Sequence, residues 1–208
     1  MDQTSNQPRS RGRPALAPEA RETALKAASE LLDEQGLAGM KARVIAKRSG
    51  LSVGSIYKLF GDIDDLIRVL NLQTYRDFAA HHQAALTRAQ ADGASLEQQL
   101  MALATAYVEF VEGNEARWLA LLSFNRGQGT APPDYAQVET QLYGMVESVM
   151  SQLPGLSEPA VCARTTRALW ASVHGIVIIT LPSEGRDEVI DQIRMMVTAV
   201  VRNAAAEQ

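Results

Sequence analysis

Residues 41–65, KARVIAKRSGLSVGSIYKLFGDIDD, decide the fold. Ala42, Ile45 and Ala46 recur at i, i+3 and i+4, which gives a short helix one inward face. The helix breaks at Ser49-Gly50-Leu51. Gly50 suits the left-handed residue that follows a helix, and the Ser52 hydroxyl suits the cap of the next one. In that next helix Ile56 and Phe60 turn inward, leaving Val53, Gly54, Ser55, Tyr57 and Lys58 outside. Two short helices joined by a glycine-containing turn form a helix-turn-helix, whose second helix can enter the DNA major groove. The outward residues suit such a role, offering an apolar contact for a thymine methyl, small residues for close approach, and hydroxyl and ammonium donors. A pair of ordinary core helices would show the same spacing. It would not explain why the outer face carries Lys41, Arg43, Lys47, Arg48 and Lys58 with no carboxylate between them.

Residues 21–70 resemble the DNA-binding domain of the tetracycline-repressor (TetR) family. The matching positions are Ala27-Ala28, Leu31, Gly36, Ile45-Ala46, Gly50-Leu51-Ser52, Gly54, Ile56-Tyr57, Phe60 and Leu66, at family spacing without a gap. Further on, Trp170, His174 and Gly175 resemble the Trp-x-x-x-His-Gly pattern of one subgroup of the family's C-terminal domains. Two positions depart from the family pattern. Met40-Lys41 stands where members often carry Thr, and Ile63 stands between Asp62 and Asp64 where many carry Lys, so those two phosphate contacts do not carry over. The resemblance implies an all-α fold, with a three-helix helix-turn-helix head and a larger helical body that binds ligand and dimerises, about nine helices in all. It also implies a homodimeric regulator, a ligand-relieved repressor on a near-palindromic operator in double-stranded DNA. The fourth helix would be the lever between the two domains, and the last two helices would form a four-helix bundle with those of a dimer mate.

The whole chain has a net charge of -4, which argues against indiscriminate nucleic-acid binding. The sign is unevenly spread, however. Residues 1–60 hold ten Lys and Arg against six Asp and Glu, and the rest hold ten against eighteen. A basic head on an acidic body fits a local DNA footprint better than a membrane surface. Cys162 is alone, so no intrachain disulfide is expected; with no apolar leader and no run long enough to span a bilayer, the expected location is cytoplasmic. The expected domains are a flexible basic arm over 1–16, the DNA-binding domain over 17–64 and the body over 65–208. In the arm, Arg11-Gly12-Arg13-Pro14 resembles the core of an AT-hook, with Arg11 and Arg13 suited to a narrow A·T minor groove. A solvated tail is the equal alternative.

Pro18 opens the first helix, and Ala24, Ala28, Leu31 and Leu32 form its inner stripe. Asp62 caps the fourth, which runs to about Ala91 with Ile63, Leu66, Ile67 and Leu70 inward. His81-His82 on this helix is expected at the surface or rim. Ser95 and Gln98 form a capping box for the fifth helix, Asn114 caps the sixth, and the seventh spans about Asp134 to Leu153. Ser157 is expected to cap the eighth, which should end before Pro182, and residues from Val189 to Val201 give the ninth its inner face. No stretch alternates apolar and polar residues as a strand would.

The body offers no Gly-rich phosphate loop, no Cys/His metal spacing and no activated nucleophile, so neither a catalytic site, a metal nor a cofactor is expected. Met and aromatic residues adapt to varied ligands. Tyr107, Phe110, Trp118, Trp170 and His174 are therefore the candidates to line a pocket for an apolar small-molecule effector. The alternative for His174, and the favoured one, is a core histidine satisfied by a neighbour. Val173, Ile176, Val177, Ile193, Met196, Val197 and Val200 are the candidate two-fold interface. The alternative function keeps the fold without a small-molecule effector, under control of a partner protein or in an architectural role.

Overall fold

The computed structural model describes residues 18–125 and 133–206. Those residues form nine α-helices and two short 3-10 turns with no strand, an all-α fold. No helix among them is long and apolar enough to cross a membrane. The chain divides into two compact units, Met1–Ile67 and Arg68–Gln208.

The first unit holds α1 (Pro18–Gln35), a 3-10 turn (Gly36–Gly39), α2 (Ala42–Ser49), α3 (Val53–Phe60) and the start of α4 (Ile63–Ala91). Its core is made by Ala24, Ala28, Leu31, Ile45, Ile56 and Leu66, each fully buried. Small alanines on α1 let the short helices lie close. Helices of eight residues are too short to stand on propensity alone, and their ends are fixed accordingly. Gly50 takes φ +69° after α2, and the Leu51 N–H returns to the Ala46 carbonyl at 3.0 Å. The Ser52 hydroxyl accepts the Ser55 N–H at 3.1 Å. Asp62 caps α4 by accepting the Asp65 N–H at 2.7 Å. The Arg21 guanidinium lies 5.1 Å from the Phe60 ring centre, tying α1 to the end of α3.

In the second unit, the rest of α4 packs with α5 (Leu96–Gly113), α6 (Glu115–Asn125), α7 (Pro133–Met150), a 3-10 turn (Pro154–Leu156), α8 (Pro159–Glu184) and α9 (Arg186–Ala206). Phe78, Tyr107, Val108, Leu142, Met150 and Ile193 are among its largest fully buried side chains. Ser95 and Gln98 close a full capping box on α5, with bonds of 3.3 and 2.8 Å. Gly185, at φ +85°, is the single residue between α8 and α9, and it lets them fold back as a pair.

Several helix ends differ from expectation. Glu158, not Ser157, caps α8: its two carboxylate oxygens accept the Ala160 and Val161 N–H groups, each at 3.0 Å. Pro159 follows at the first helical position, where a missing N–H costs nothing. Pro182 does not end α8 but sits inside its final turn, because the ring removes only the bond to the Ile178 carbonyl and the helix ends two residues later. The Asn114 amide donates back to the Phe110 carbonyl at 2.9 Å, so it closes α5, while its own carbonyl opens α6. α7 stops at Met150, three residues early, in a turn held by Leu153 N–H to Met150 O at 2.9 Å.

Candidate nucleic-acid interface and body cavities

On α3 the two inward positions, Ile56 and Phe60, are buried, and this fixes which face looks out. Ser52, Gly54, Tyr57 and Lys58 are exposed, and Val53 and Ser55 are half-buried. Tyr57 is 48% exposed, which is far more than a phenol needed by the core would be. Lys41 and Arg43 are exposed at the start of α2. Ser52 spends its hydroxyl on the cap and on a 2.8 Å contact with the Ser55 hydroxyl, so both serines are prepositioned. The basic face is less bare than the sequence suggested. Arg48 makes a two-pronged pair with Glu34 of α1, at 2.7 and 2.8 Å, which braces α2 against α1. Arg11 and Arg13 lie outside the described residues.

A methyl group placed on Gly54 would meet nothing nearer than the Ser52 hydroxyl at 3.9 Å. Gly54→Ala should therefore stabilise the protein by about 0.5–1 kcal/mol, the usual helical preference of Ala over Gly. If α3 approaches DNA closely at this point, the same change weakens binding. Thermal melts and operator titrations of the one variant should move in opposite directions.

The body carries a continuous aromatic cluster centred on Phe78. Its ring lies 4.1 Å from His82, 4.9 Å from Tyr107, 4.7 Å from Trp118 and 5.2 Å from Phe110, centre to centre. Trp170 stacks 6.0 Å from Tyr107, and the Tyr107 hydroxyl hydrogen-bonds the His174 Nδ1. Trp170 and His174 thus share the face their i, i+4 spacing implies, and His174 has the neighbouring partner of the core reading. These rings fill most of the space between them. The cavity bordered by Tyr107, Trp170 and His82 measures about 30 Å³, room for a water molecule or two.

His82 is not at the rim; it is 2% exposed. Its Nδ1–H donates to the Phe78 carbonyl at 2.9 Å, and burial pushes its pKa down to about 4 against that bond's opposing pull. His81 is half-buried, 3.7 Å from Glu109. Between about pH 6.5 and 4 the unfolded chain takes up a proton on residue 82 that the folded chain refuses. The contribution of the neutral ring is therefore full above about 6.5 and is lost as pH falls toward 4, by roughly 1.4 kcal/mol per pH unit. Urea melts at pH 7 and 5 should show the wild type losing about 2 kcal/mol more than His82→Phe. Equal losses would mean the ring is not held neutral.

A second cavity, of about 360 Å³, is bordered by Val111 of α5, Trp118 and Leu119 of α6, and Val177, Ile178 and Leu181 of α8. That volume is within the range of small-molecule sites. Trp118 therefore has one edge on the aromatic cluster and one on this space, and its indole N–H is buried with no hydrogen-bond partner among the described residues. Phe110 packs against Phe78 and Trp118 and borders neither cavity. Val173, Val177, Ile193 and Val197, expected at a dimer face, belong to the chain's own core, and Ile176, Met196 and Val200 are half-buried against it. Periodicity marks them as apolar but cannot say which partner covers them. The large apolar side chains that α8 and α9 do present outward are Ile179, 76% exposed, and Met195, 66% exposed.

A helix-turn-helix unit followed by an all-helical body with an internal cavity defines a class of bacterial regulator. The family model described as "Bacterial regulatory proteins, tetR family" matches residues 24–70, and that described as "Tetracyclin repressor-like, C-terminal domain" matches residues 100–204. The chain belongs to the TetR family. It is 32% identical over 116 residues to the HTH-type transcriptional regulator Rv1816 of Mycobacterium tuberculosis, a match covering 55% of this chain and 48% of that protein. The chain spans about half the length of the curated relatives it matches. Among solved structures it is similar to a protein of unknown function from Rhodococcus sp. RHA1, with TM-score 0.70 and 20% identity over 96% of this chain and 100% of that one. It is also similar to the TetR-family regulator PfmR of Thermus thermophilus, with TM-score 0.60 and 16% identity over 89% and 99%. At such identities these structures bear on the fold alone.

Proposed function

We propose that this protein is a sequence-specific DNA-binding transcriptional regulator, a homodimeric repressor released from a near-palindromic operator by a small molecule. The observation that carries it is the outward face of α3, where Tyr57 and Lys58 stand exposed beside Gly54 on a helix whose opposite side is locked into the core. Lys41 and Arg43 supply charge for phosphates that would fix the helix in the groove. The names of the mycobacterial relatives, HTH-type transcriptional regulators, agree with the reading. Ile179 and Met195 support self-association, since outward apolar residues on a paired helix surface suit a two-fold contact. The cavity bordered by Trp118 supports an effector, which would act only through its different affinities for the DNA-bound and released states.

Selection of binding sites from a random DNA pool by the purified protein tests this. An inverted repeat with half-sites about one helical turn apart is the expected product. Enrichment of A·T-rich DNA with no repeat would favour the Arg11–Arg13 arm and an architectural role. A pool that enriches nothing would remove the operator reading.

A further inference from the structure

The cavity between α5, α6 and α8 has a charge character that narrows what it would hold. Its walls are aliphatic and indole, while the ionisable groups lining it among the described residues are two carboxylates, Glu112 and Glu115. Glu112 is already engaged, its oxygen 3.0 Å from Arg186, which also binds Glu109 at 2.9 Å. Glu115 is exposed at the first turn of α6, and no ion pair is made to it among the described residues. Around the α8–α9 turn, Glu184, Asp187 and Glu188 add further negative charge. Arg186, next in the chain to the lining Gly185, is thus paired with two acids. An anionic ligand would meet repulsion with no lining base to offset it, whereas a cation with an apolar body meets complementary groups at both ends.

We infer that this cavity takes a hydrophobic organic cation as effector, its apolar part between Trp118, Val177 and Leu181 and its charge at the Glu115 carboxylate. The assignment rests on the regulator reading above for its consequence on DNA, though not for the binding itself. Leu119, 52% exposed, borders the cavity where it meets the surface and serves as its doorway. Glu115, solvated at that doorway, selects for charge by a modest factor, while the walls provide most of the affinity.

The test titrates the full-length protein by calorimetry with three probes that share one apolar body, namely 4-phenylbutyltrimethylammonium, 4-phenylbutanol and 4-phenylbutanoate. The cation should bind roughly tenfold tighter than the alcohol, and the carboxylate weakest. Glu115→Gln should lower affinity for the cation about three- to tenfold and leave the alcohol unchanged. Leu119→Trp, a change at an exposed position, should fill the doorway and weaken all three. Equal or tighter binding of the carboxylate, or no binding of the cation, overturns the charge assignment. Cation binding that neither variant alters overturns the location. An operator complex that persists when the cation is bound overturns the effector role. DNA binding without the cation's effect and cation binding without any operator are separate results, so the failure of this inference and the failure of the regulator reading can be told apart.

Discussion

Tyr57→Ala should weaken operator binding by about thirtyfold or more while leaving the fold and self-association of the protein intact. The size follows from symmetry. One lost base-edge or phosphate contact costs about 1–3 kcal/mol, and a two-fold dimer loses it at both half-sites, which makes roughly 2–6 kcal/mol per operator. The specificity of the effect follows from burial. Tyr57 is 48% exposed and flanks the buried face of Ile56 and Phe60 without joining it, so truncation removes little that the core uses. Stability should stay within about 0.5 kcal/mol of wild type. Lys58→Ala belongs to the same experiment with a different signature. If its ammonium sits on phosphate, affinity falls on all sequences alike, and the dependence of log K on log salt flattens by about one unit per half-site. Filter binding or fluorescence anisotropy at several salt concentrations reads both. Unchanged affinity in both variants, with helicity preserved, would remove α3 as the recognition helix.

The head was legible in the sequence because its structure is determined by local signals. Gly50 must be left-handed, Ser52 must cap, and Ala42, Ile45, Ala46, Ile56 and Phe60 fall on faces that a helical period assigns without ambiguity. The body was legible in helix number and type but not in partners. Val177 and Ile193 are equally apolar whether their own chain or a second copy covers them, and here their own chain does. His82 was misplaced because a histidine pair carries no burial signal of its own. The signal that would have found it is Phe78, four residues earlier on the same stripe of α4, followed by the buried Ala85 and Leu86. Pro182 misled for a different reason: the rule that proline ends a helix holds for the interior, and in a final turn only one hydrogen bond is at stake. The position of the larger cavity was not readable at all. It depends on how α6 meets α8, and nothing in either helix alone specifies that.

Phe78→Ala should be the most destabilising single substitution in the aromatic cluster, costing about 3–5 kcal/mol in a chemical denaturation experiment. Phe78 is fully buried, and its ring touches the neighbourhood of His82, Tyr107, Phe110 and Trp118 within 5.2 Å, centre to centre. None of these large rings can collapse into the vacated volume easily. The Tyr107 hydroxyl is held by His174, and the His82 ring by the Phe78 carbonyl on its own helix. The lost transfer energy is therefore joined by the energy of a cavity that stays open, and the upper part of the range is expected. An apolar cavity of this kind stays dry and accepts small aromatic molecules. Benzene should accordingly raise the melting temperature of Phe78→Ala more than that of the wild type, whose gap beside Tyr107 and Trp170 has room for only a water molecule or two and whose larger cavity is common to both proteins. Phe78→Leu, which keeps most of the volume, should lose markedly less and gain little from benzene. A loss below about 1.5 kcal/mol for Phe78→Ala would show that the cluster can repack around the gap. In that event the rings would have to be treated as mobile walls of one larger effector site, and Tyr107 and Trp170 would become candidates for ligand contact.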